Sequence, residues 1–401
     1  MLRITNFLGR GLTSNKNVRD YSHVVIANRE MVGLLGYAFQ QDTMKILLAT
    51  PSLLKEVGGP AYSVGRIDHF LRQAMIDTIT LTRPSQGGMS LPKPRDGGVF
   101  GDADVIHNFG TWSPFNHRIS VKARNAKIPQ VFCPMGMLEP WSLTQKPLKK
   151  RIGWMLYQRN DIECSSAIHA TARSEAENLR ALGITVPIAV IPRGIDIPTH
   201  QPARQSLHRG SCEKTILFLS RIHPKKGLLE LVQACARLKA KNWKVIIAGP
   251  NTDSYQAVIE KAVNSAQLQD RFNFVGPVYG EQKSALFAQA DLFVLPTHSE
   301  NFGVVIAEAL AHGVPVITTT GTPWAELNET GCGWWIPTGA SPLETTLSEA
   351  ISMPSSALAE MGIRGRALVE ARYTWPAIIR KHIALYEWLT GCGQRPDFIF
   401  D

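Results

Sequence analysis

The sequence lacks long apolar runs, clustered cysteines and a compact apolar N-terminal core. No apolar run approaches the roughly 18–20 residues that a membrane-spanning helix needs, so we expect neither a membrane span nor secretion. The six cysteines are scattered, without a C-x-x-C pair or a Cys/His spacing typical of metal sites. This pattern predicts reduced thiols in a cytoplasmic protein.

Positive charge is concentrated in one half of the chain. Residues 44–196 carry 19 Lys and Arg against 12 Asp and Glu, whereas residues 214–401 carry 17 of each. A basic first half could face anionic lipid, nucleic acid or an acidic substrate, and a merely solvated basic surface explains the same counts. With 401 residues, of which 44% are hydrophobic, the chain can bury a large core and is better interpreted as two domains than one.

Short apolar runs alternate with helical patterns along most of the chain. Runs of this kind, bounded by Pro and Gly, predict parallel strands buried on both faces. Their alternation with helices predicts an α/β fold with two Rossmann-like halves. The predicted strands are 44–49, 76–81, 104–109, 130–133, 167–171 and 188–191 in the first half, and 215–219, 244–248, 272–275, 291–296 and 314–319 in the second.

Residues 291–320 form the most informative stretch, with a strand, a loop carrying Glu300, a short helix carrying Glu308 and a second strand. Asn301 is the expected helix cap. Glu308 falls on or near the buried stripe of the helix, so we expect a hydrogen-bond donor to meet it. Glu300 follows a strand and precedes a helix N-terminus, where α/β sheets bind ligands. Taken alone, two glutamates eight residues apart are more often a solvated loop acid and part of an exposed helix face, and it is their context that favours a site.

The context of these glutamates, SENFGVVIAEALAHGVPVI, resembles the signature of the retaining nucleotide-sugar glycosyltransferases of family four, which have the GT-B fold. The resemblance covers residues 44–390 and extends to bacterial polysaccharide and lipopolysaccharide enzymes. It implies that Glu300 contacts the hydroxyls of the donor sugar and that Glu308 holds the ribose. It also implies hexosyl transfer from a nucleotide diphosphate sugar to a glycan or lipid-linked acceptor, with no cofactor and no nucleic-acid partner. In this family the departing phosphate is thought to accept the acceptor's proton, so no general base is assigned.

Several further residues are candidates for the donor diphosphate. Arg221 and Lys226 flank Pro224 just before a helix and can converge on one anion, at the place of the family's Arg/Lys pair. The free N–H groups of Asn301, Phe302 and Gly303 can also bind an anion. The glycine turn of Gly58 and Gly59 resembles the family's loop that faces the diphosphate, although an isolated Gly-Gly would be an ordinary tight turn.

Two further features concern the acceptor and metal binding. His107 lies in a predicted strand and is the acceptor-side candidate, with a core position as its alternative. Met135 stands where many relatives carry His or Arg. Asp102 and Asp104 form a D-x-D, but they enter a strand at a turn, and we predict no metal site and metal-independent transfer.

The resemblance gives roles to the predicted domains. We expect an acceptor-side domain at 44–196, a linker at 197–213, a nucleotide-sugar-binding domain at 214–372, and a C-terminal segment, 373–401, whose helix crosses back to the first domain. Residues 1–43 lack a period and are expected to be a disordered extension, with Met44 as the real beginning.

A basic helix beginning at Pro147 has two interpretations. Its apolar stripe could rest on an anionic membrane, which would place the protein on the inner face of the cytoplasmic membrane, or it could face the core. The stripe comprises Leu148, Ile152, Met155 and Leu156, and the flanking cations are Lys146, Lys149, Lys150, Arg151 and Arg159.

We favour core packing for Trp335 more than for Trp324. Two other functions also remain open at this point. One is a phosphorylase or sugar-nucleotide synthase on the same fold, and the other is a non-enzymatic anion-binding protein.

Overall fold

Two parallel sheets organise the protein. The computed structural model describes residues 44–53, 59–83, 100–199, 213–251 and 254–401. The strands of the first sheet are β1 Lys45–Ala49, β2 Asp77–Leu81, β3 Val105–Phe109, β4 Gln130–Cys133, β5 Ala167–Ala170, β6 Ile188–Val190 and β13 Ile399–Phe400. The strands of the second are β7 Lys214–Leu219, β8 Trp243–Ala248, β9 Phe272–Gly276, β10 Leu292–Leu295, β11 Val316–Thr319 and β12 Gly333–Ile336.

The helices cover the faces of these sheets. In the first half they are α1 Gly59–Gln73, α2 Pro114–Ala126, α3 Pro140–Thr144, α4 Pro147–Gly153, α5 Arg159–Glu163 and α6 Arg173–Ala181, with a π-helical turn, Trp154–Gln158, between α4 and α5. In the second half they are α7 Leu228–Arg237, α8 Gln256–Ser265, α9 Gly280–Gln289, α10 Val304–Ala311, α11 Glu326–Glu329, α12 Ala340–Ser352, α13 Ser355–Arg372 and α14 Trp375–Leu389.

The order of the strands gives the fold class. The first sheet runs β13-β6-β5-β4-β3-β1-β2 and the second β12-β11-β10-β7-β8-β9. All pairs are parallel except β13 with β6. Strands such as β4 and β10 are buried along their whole length, because helices cover both faces of a parallel sheet. The predicted α/β class with two Rossmann-like halves is confirmed.

The C-terminal part of the chain returns to the first sheet. Trp375, Ile378 and Tyr386 of α14 share one apolar core with Ile46 of β1 and Val105 of β3. Beyond α14, β13 pairs antiparallel with β6 and forms the edge of the first sheet. Helix α14 therefore belongs to the core of the first half although it follows the whole second half in sequence.

Parts of three predictions lie outside the described residues. These are the extension at residues 1–43, most of the linker at 197–213, and Gly58 of the glycine turn. Gly59 is described as the first residue of α1. None of the helices in the described ranges combines the length and the apolarity that crossing a bilayer requires.

Candidate active site

The carboxyl ends of the two sheets face each other, and side chains from the loops there meet directly. Trp141, in the region after β4, lies 4.3 Å from the Lys225 ammonium, measured from the ring centroid, and its ring also meets the edge of His223. Asn301, after β10, donates a hydrogen bond of 2.7 Å to the Thr171 hydroxyl, after β5. Ligands of open α/β sheets bind at this edge, so the space between these loops is the candidate active site.

Glu300 and Lys226 form an ion pair at the centre of this edge. The Lys226 ammonium contacts the Glu300 carboxylate, and the two side chains are 9% and 17% exposed. The backbone N–H of Glu300 also donates to the Gly321 carbonyl at 2.7 Å, which fixes the loop to the end of β11. Two of the predicted catalytic residues, Glu300 and Lys226, are therefore brought together in a partly desolvated place, where a charge interaction is stronger than in water.

The loop that carries Lys226 is shaped by a short 3₁₀ turn, Pro224–Lys226. The His223 ring accepts a hydrogen bond from the Lys225 amide, and the turn ends at Gly227 in the left-handed region, with φ 70°. A Cβ at Gly227 would stand 1.9 Å from the Pro296 carbonyl oxygen, so only glycine lets this loop lie against the end of β10. This close approach is what brings Lys226 to Glu300.

Arg221 does not join the Lys226–Glu300 pair. It is exposed, and within the described part of the chain its side chain makes no hydrogen bond or ion pair. It is nevertheless close enough to lower the pKa of Lys225, which burial lowers most, while Glu300 acts in the opposite direction. Arg221, Lys225 and Lys226 thus place three cations on one loop.

Glu308 meets the donor that its position in α10 requires. Lys283 of α9 approaches it at 2.5 Å, and the two side chains are 27% and 22% exposed. Burial raises the pKa of Glu308, and the Lys283 ammonium opposes that rise. The negative charge of Asp196, which follows β6, adds to the rise in the pKa of Glu308.

The N-terminus of α10 differs from the prediction in its cap. Gly303, with φ 78°, precedes the first helical residue, and Asn301 is not the cap because its side chain crosses to Thr171. The Phe302 carbonyl accepts a hydrogen bond from the Trp324 indole at 2.5 Å. Trp324 is 1% exposed and Trp335 is half-buried, so the predicted order of burial was wrong.

His107, the acceptor-side candidate, is a core residue. It is fully buried and belongs to a hydrogen-bonded chain. Its Nδ1 lies 2.8 Å from the Tyr386 hydroxyl, its Nε2 lies 3.2 Å from His169 Nδ1, and His169 Nε2 lies 2.8 Å from the Ile191 carbonyl. Because only a protonated Nε2 can bond a carbonyl, His169 Nδ1 accepts from His107, whose Nδ1 accepts from Tyr386. His107 therefore cannot reach an acceptor without leaving the core.

Two groups of residues could be considered for a metal. Cys133 lies with His107 and His169 in a fully buried group, but all four imidazole nitrogens already have the partners described above, and burial raises the pKa of the Cys133 thiol. Asp104 precedes β3 at the opposite end of the sheet from the cleft. Its carboxylate accepts a hydrogen bond of 2.7 Å from the Lys45 amide, which gives it a structural partner.

Sequence reasoning missed several charged residues of the cleft. Arg193, after β6, is partly buried, donates to the Ser63 hydroxyl at 3.1 Å and interacts with the charge of Glu300. Glu139, before α3, accepts from the Asn178 amide at 2.6 Å, and burial together with the charge of Glu175 raises its pKa to about 7. For Arg193 and Glu139, the only signal in the sequence was a place in a segment that follows a strand. Lys283 lies inside a helix, where the sequence gave no signal.

Family models of glycosyltransferases match both halves of the chain. The family model "Glycosyltransferase Family 4" matches residues 94–198, and "Glycosyl transferases group 1" matches residues 200–367. A GDP-mannose:cellobiosyl-diphosphopolyprenol alpha-mannosyltransferase of Xanthomonas campestris is 25% identical over 309 residues, which are 75% of this chain and 78% of the relative.

Two solved structures have the same fold. Sucrose-phosphate synthase of Thermosynechococcus elongatus aligns with a TM-score of 0.72 at 20% identity, over 87% of this chain and 100% of that chain. HepE of Anabaena, solved in complex with UDP and glucose, aligns with a TM-score of 0.66 at 20% identity, over 86% of this chain and 100% of that chain. The chain therefore belongs to the family-four glycosyltransferases, enzymes with the GT-B fold.

Proposed function

We propose that the protein transfers a hexosyl residue from a nucleotide diphosphate sugar to a growing cell-surface glycan or a lipid-linked acceptor, with retention of the anomeric configuration. The second half binds the donor, and the acceptor approaches from the first half.

The observation that carries this proposal is the pair of carboxylate–lysine contacts at the carboxyl edge of the second sheet. Glu300 with Lys226 and Glu308 with Lys283 present acceptors for sugar and ribose hydroxyls beside cations for phosphate oxygens. A bound donor can exchange these internal contacts for its own hydroxyls and phosphates without leaving a buried charge unpaired.

The nature of the relatives supports the same substrates. The Xanthomonas relative is named for GDP-mannose as donor and a diphosphopolyprenol-linked saccharide as acceptor, and HepE was solved with UDP and glucose.

Charge stabilisation of the leaving nucleoside diphosphate is the proposed main contribution to catalysis. Arg221, Lys225 and Lys226, together with the N–H groups before α10, surround the place where that charge develops. We propose that these groups replace a metal ion and that the leaving phosphate takes the acceptor's proton.

The test is a thermal-shift panel of UDP-, GDP- and ADP-sugars, followed by product analysis with lipid-diphosphate-linked oligosaccharides. A donor at a hundredfold excess over its Kd should stabilise the fold by about 2.7 kcal/mol, and the matching free nucleotide should bind more weakly. Equal affinity with and without the sugar, and no turnover with any acceptor, would contradict the proposal. Transfer to inorganic phosphate alone would indicate a phosphorylase.

We further propose that the helix beginning at Pro147 rests on the anionic inner face of the cytoplasmic membrane. Leu148, Met155 and Leu156 are 70–76% exposed and Ile152 is 50% exposed, so this stripe does not face the core. The exposed cations Lys149 and Arg151 flank it. Because exposed charges attract over roughly 8–10 Å in physiological salt, binding should weaken as salt rises.

Sedimentation with vesicles that contain phosphatidylglycerol tests this surface. Changing Leu148, Met155 and Leu156 to Ser should release the protein, whereas Ile363→Ser, at a 70% exposed position on α13, should not. Equal binding of both variants would leave the stripe as an ordinary solvated surface.

A further inference from the structure

One hydrogen-bonded network joins the donor loop after β10 to the first half of the protein. Asn301, the residue directly after Glu300, donates from its side-chain nitrogen to the Thr171 hydroxyl at 2.7 Å. Its Cβ also packs on Gly136, where an added Cβ would stand 2.8 Å away. Asn301 therefore leaves no room for a side chain at position 136, where the φ of 76° also favours glycine.

Glu175 fixes both partners of Asn301. Its carboxylate is 2% exposed and accepts hydrogen bonds from the Gly136 amide at 2.7 Å, the Thr171 amide at 2.7 Å and the Thr171 hydroxyl at 3.2 Å. Since a hydroxyl has one proton, Thr171 donates to Glu175 and accepts from Asn301, which gives the chain of bonds one direction. Both carboxylate oxygens of Glu175 are therefore occupied by donors of the first half.

Hydrogen-bond donors and one cation surround the Glu175 carboxylate. Burial raises the pKa of Glu175, and the amides of Thr171 and Gly136 and the side chain of Asn301 oppose the rise. The positive charge of the Arg193 guanidinium interacts with the charges of both Glu175 and Glu300. The same partly buried cation thus compensates a carboxylate of the network and the carboxylate proposed to contact the sugar.

We propose that Thr171 and Glu175 are positioning residues, which hold Asn301 from the first half and thereby fix the Glu300 carboxylate and the amides before α10 for transfer. This inference rests on the proposed role of Glu300. It implies that the donor loop is complete only when both halves are in contact, so the network should affect turnover more than nucleotide binding.

The variant Thr171→Val tests the network because it removes the hydroxyl and keeps the shape and the backbone amide. Thr346→Val is the matched control, since that buried threonine on α12 donates only to its own helix, at Pro342, 3.0 Å away. In the protein without ligand, hydrogen exchange of the Glu300 and Ile306 amides, which bond Gly321 and Gly303, should speed up by about tenfold in Thr171→Val. Exchange no faster than in the control would overturn the proposal.

Turnover provides the second measurement. Thr171→Val should lower kcat by about tenfold and leave the Kd of the free nucleotide within about twofold. The double variant Asn301→Ala/Thr171→Val should have the same kcat as Asn301→Ala alone, because the two substitutions remove the same hydrogen bond. Multiplying losses, or a nucleotide Kd that weakens as much as kcat falls, would refute a positioning role. The exchange measurement needs no donor, so failure of the network and failure to find a donor sugar are told apart.

Discussion

Replacing Glu300 and Glu308 separately with Gln should divide donor recognition into a sugar-dependent and a nucleotide-dependent part. On the proposed roles, Glu308 contacts the ribose, which the free nucleotide and the sugar nucleotide share. Glu300 contacts the sugar, which only the donor has. Glu308→Gln should therefore weaken both ligands by a similar factor, whereas Glu300→Gln should weaken the sugar nucleotide alone.

The expected size follows from the charge of the acceptor groups. A hydrogen bond to a charged group contributes about 1.5–3 kcal/mol, which corresponds to an increase in Kd of about 10- to 150-fold. The two variants should also differ in stability without ligand. Lys226, with a side chain that is 9% exposed, loses its counter-charge in Glu300→Gln, whereas Lys283 is 27% exposed and can find water. Glu300→Gln should thus lower the free energy of unfolding more.

Isothermal titration with the free nucleoside diphosphate and with the sugar nucleotide measures both constants, and urea unfolding measures stability. Glu329→Gln, at an exposed position of α11, is the control for loss of a carboxylate and should change neither. An equal loss of free-nucleotide affinity in Glu300→Gln and Glu308→Gln would refute the division of roles.

Three further predictions address the leaving group, pH and the loop. In a product assay, Arg221→Ala should lower kcat by about 10²- to 10³-fold, whereas Asp104→Asn and excess EDTA should leave kcat unchanged. Loss of activity in EDTA that manganese restores would refute metal-independent transfer. Burial lowers the pKa of His382, so the unfolded chain binds this proton more readily than the folded protein does. The free energy of unfolding should therefore decrease as the pH falls below 6.5, and His382→Phe should reduce that decrease in urea unfolding from pH 7 to 5. Gly227→Ala should lower the melting temperature and the affinity for nucleotide, because its Cβ would clash with the Pro296 carbonyl, and an unchanged melting temperature would contradict the clash.

The strands and the two residues of the central ion pair could be predicted because their signals are local. Each buried strand is a short apolar run between turn residues, and β4 spans the predicted residues 130–133. Glu300 and Lys226 follow strands and lie within motifs, so both were expected at the ligand-binding edge of the sheet. Their direct contact was not predicted, because the expected partner of Lys226 was Arg221.

The other site residues depend on contacts that no local pattern contains. Lys283 reaches Glu308 from a different helix, and Asn301 bonds Thr171 over 130 positions of sequence. His107 was ambiguous because a strand buried on both faces has no solvent side to distinguish by alternation. Trp324 is buried by contacts with residues distant in sequence, such as the ring of Tyr373 at the end of α13.

The return of α14 to the first sheet means that two chain segments, not one, connect the halves of the enzyme. They run side by side, because the Ile195 amide donates to the Tyr373 carbonyl at 2.7 Å and the Trp375 ring packs on Gly194. Two adjacent crossings that contact each other restrict twisting and sliding of the halves more than a single linker would. We expect this restriction to favour the return of Asn301 to Thr171 whenever the two halves separate and meet again.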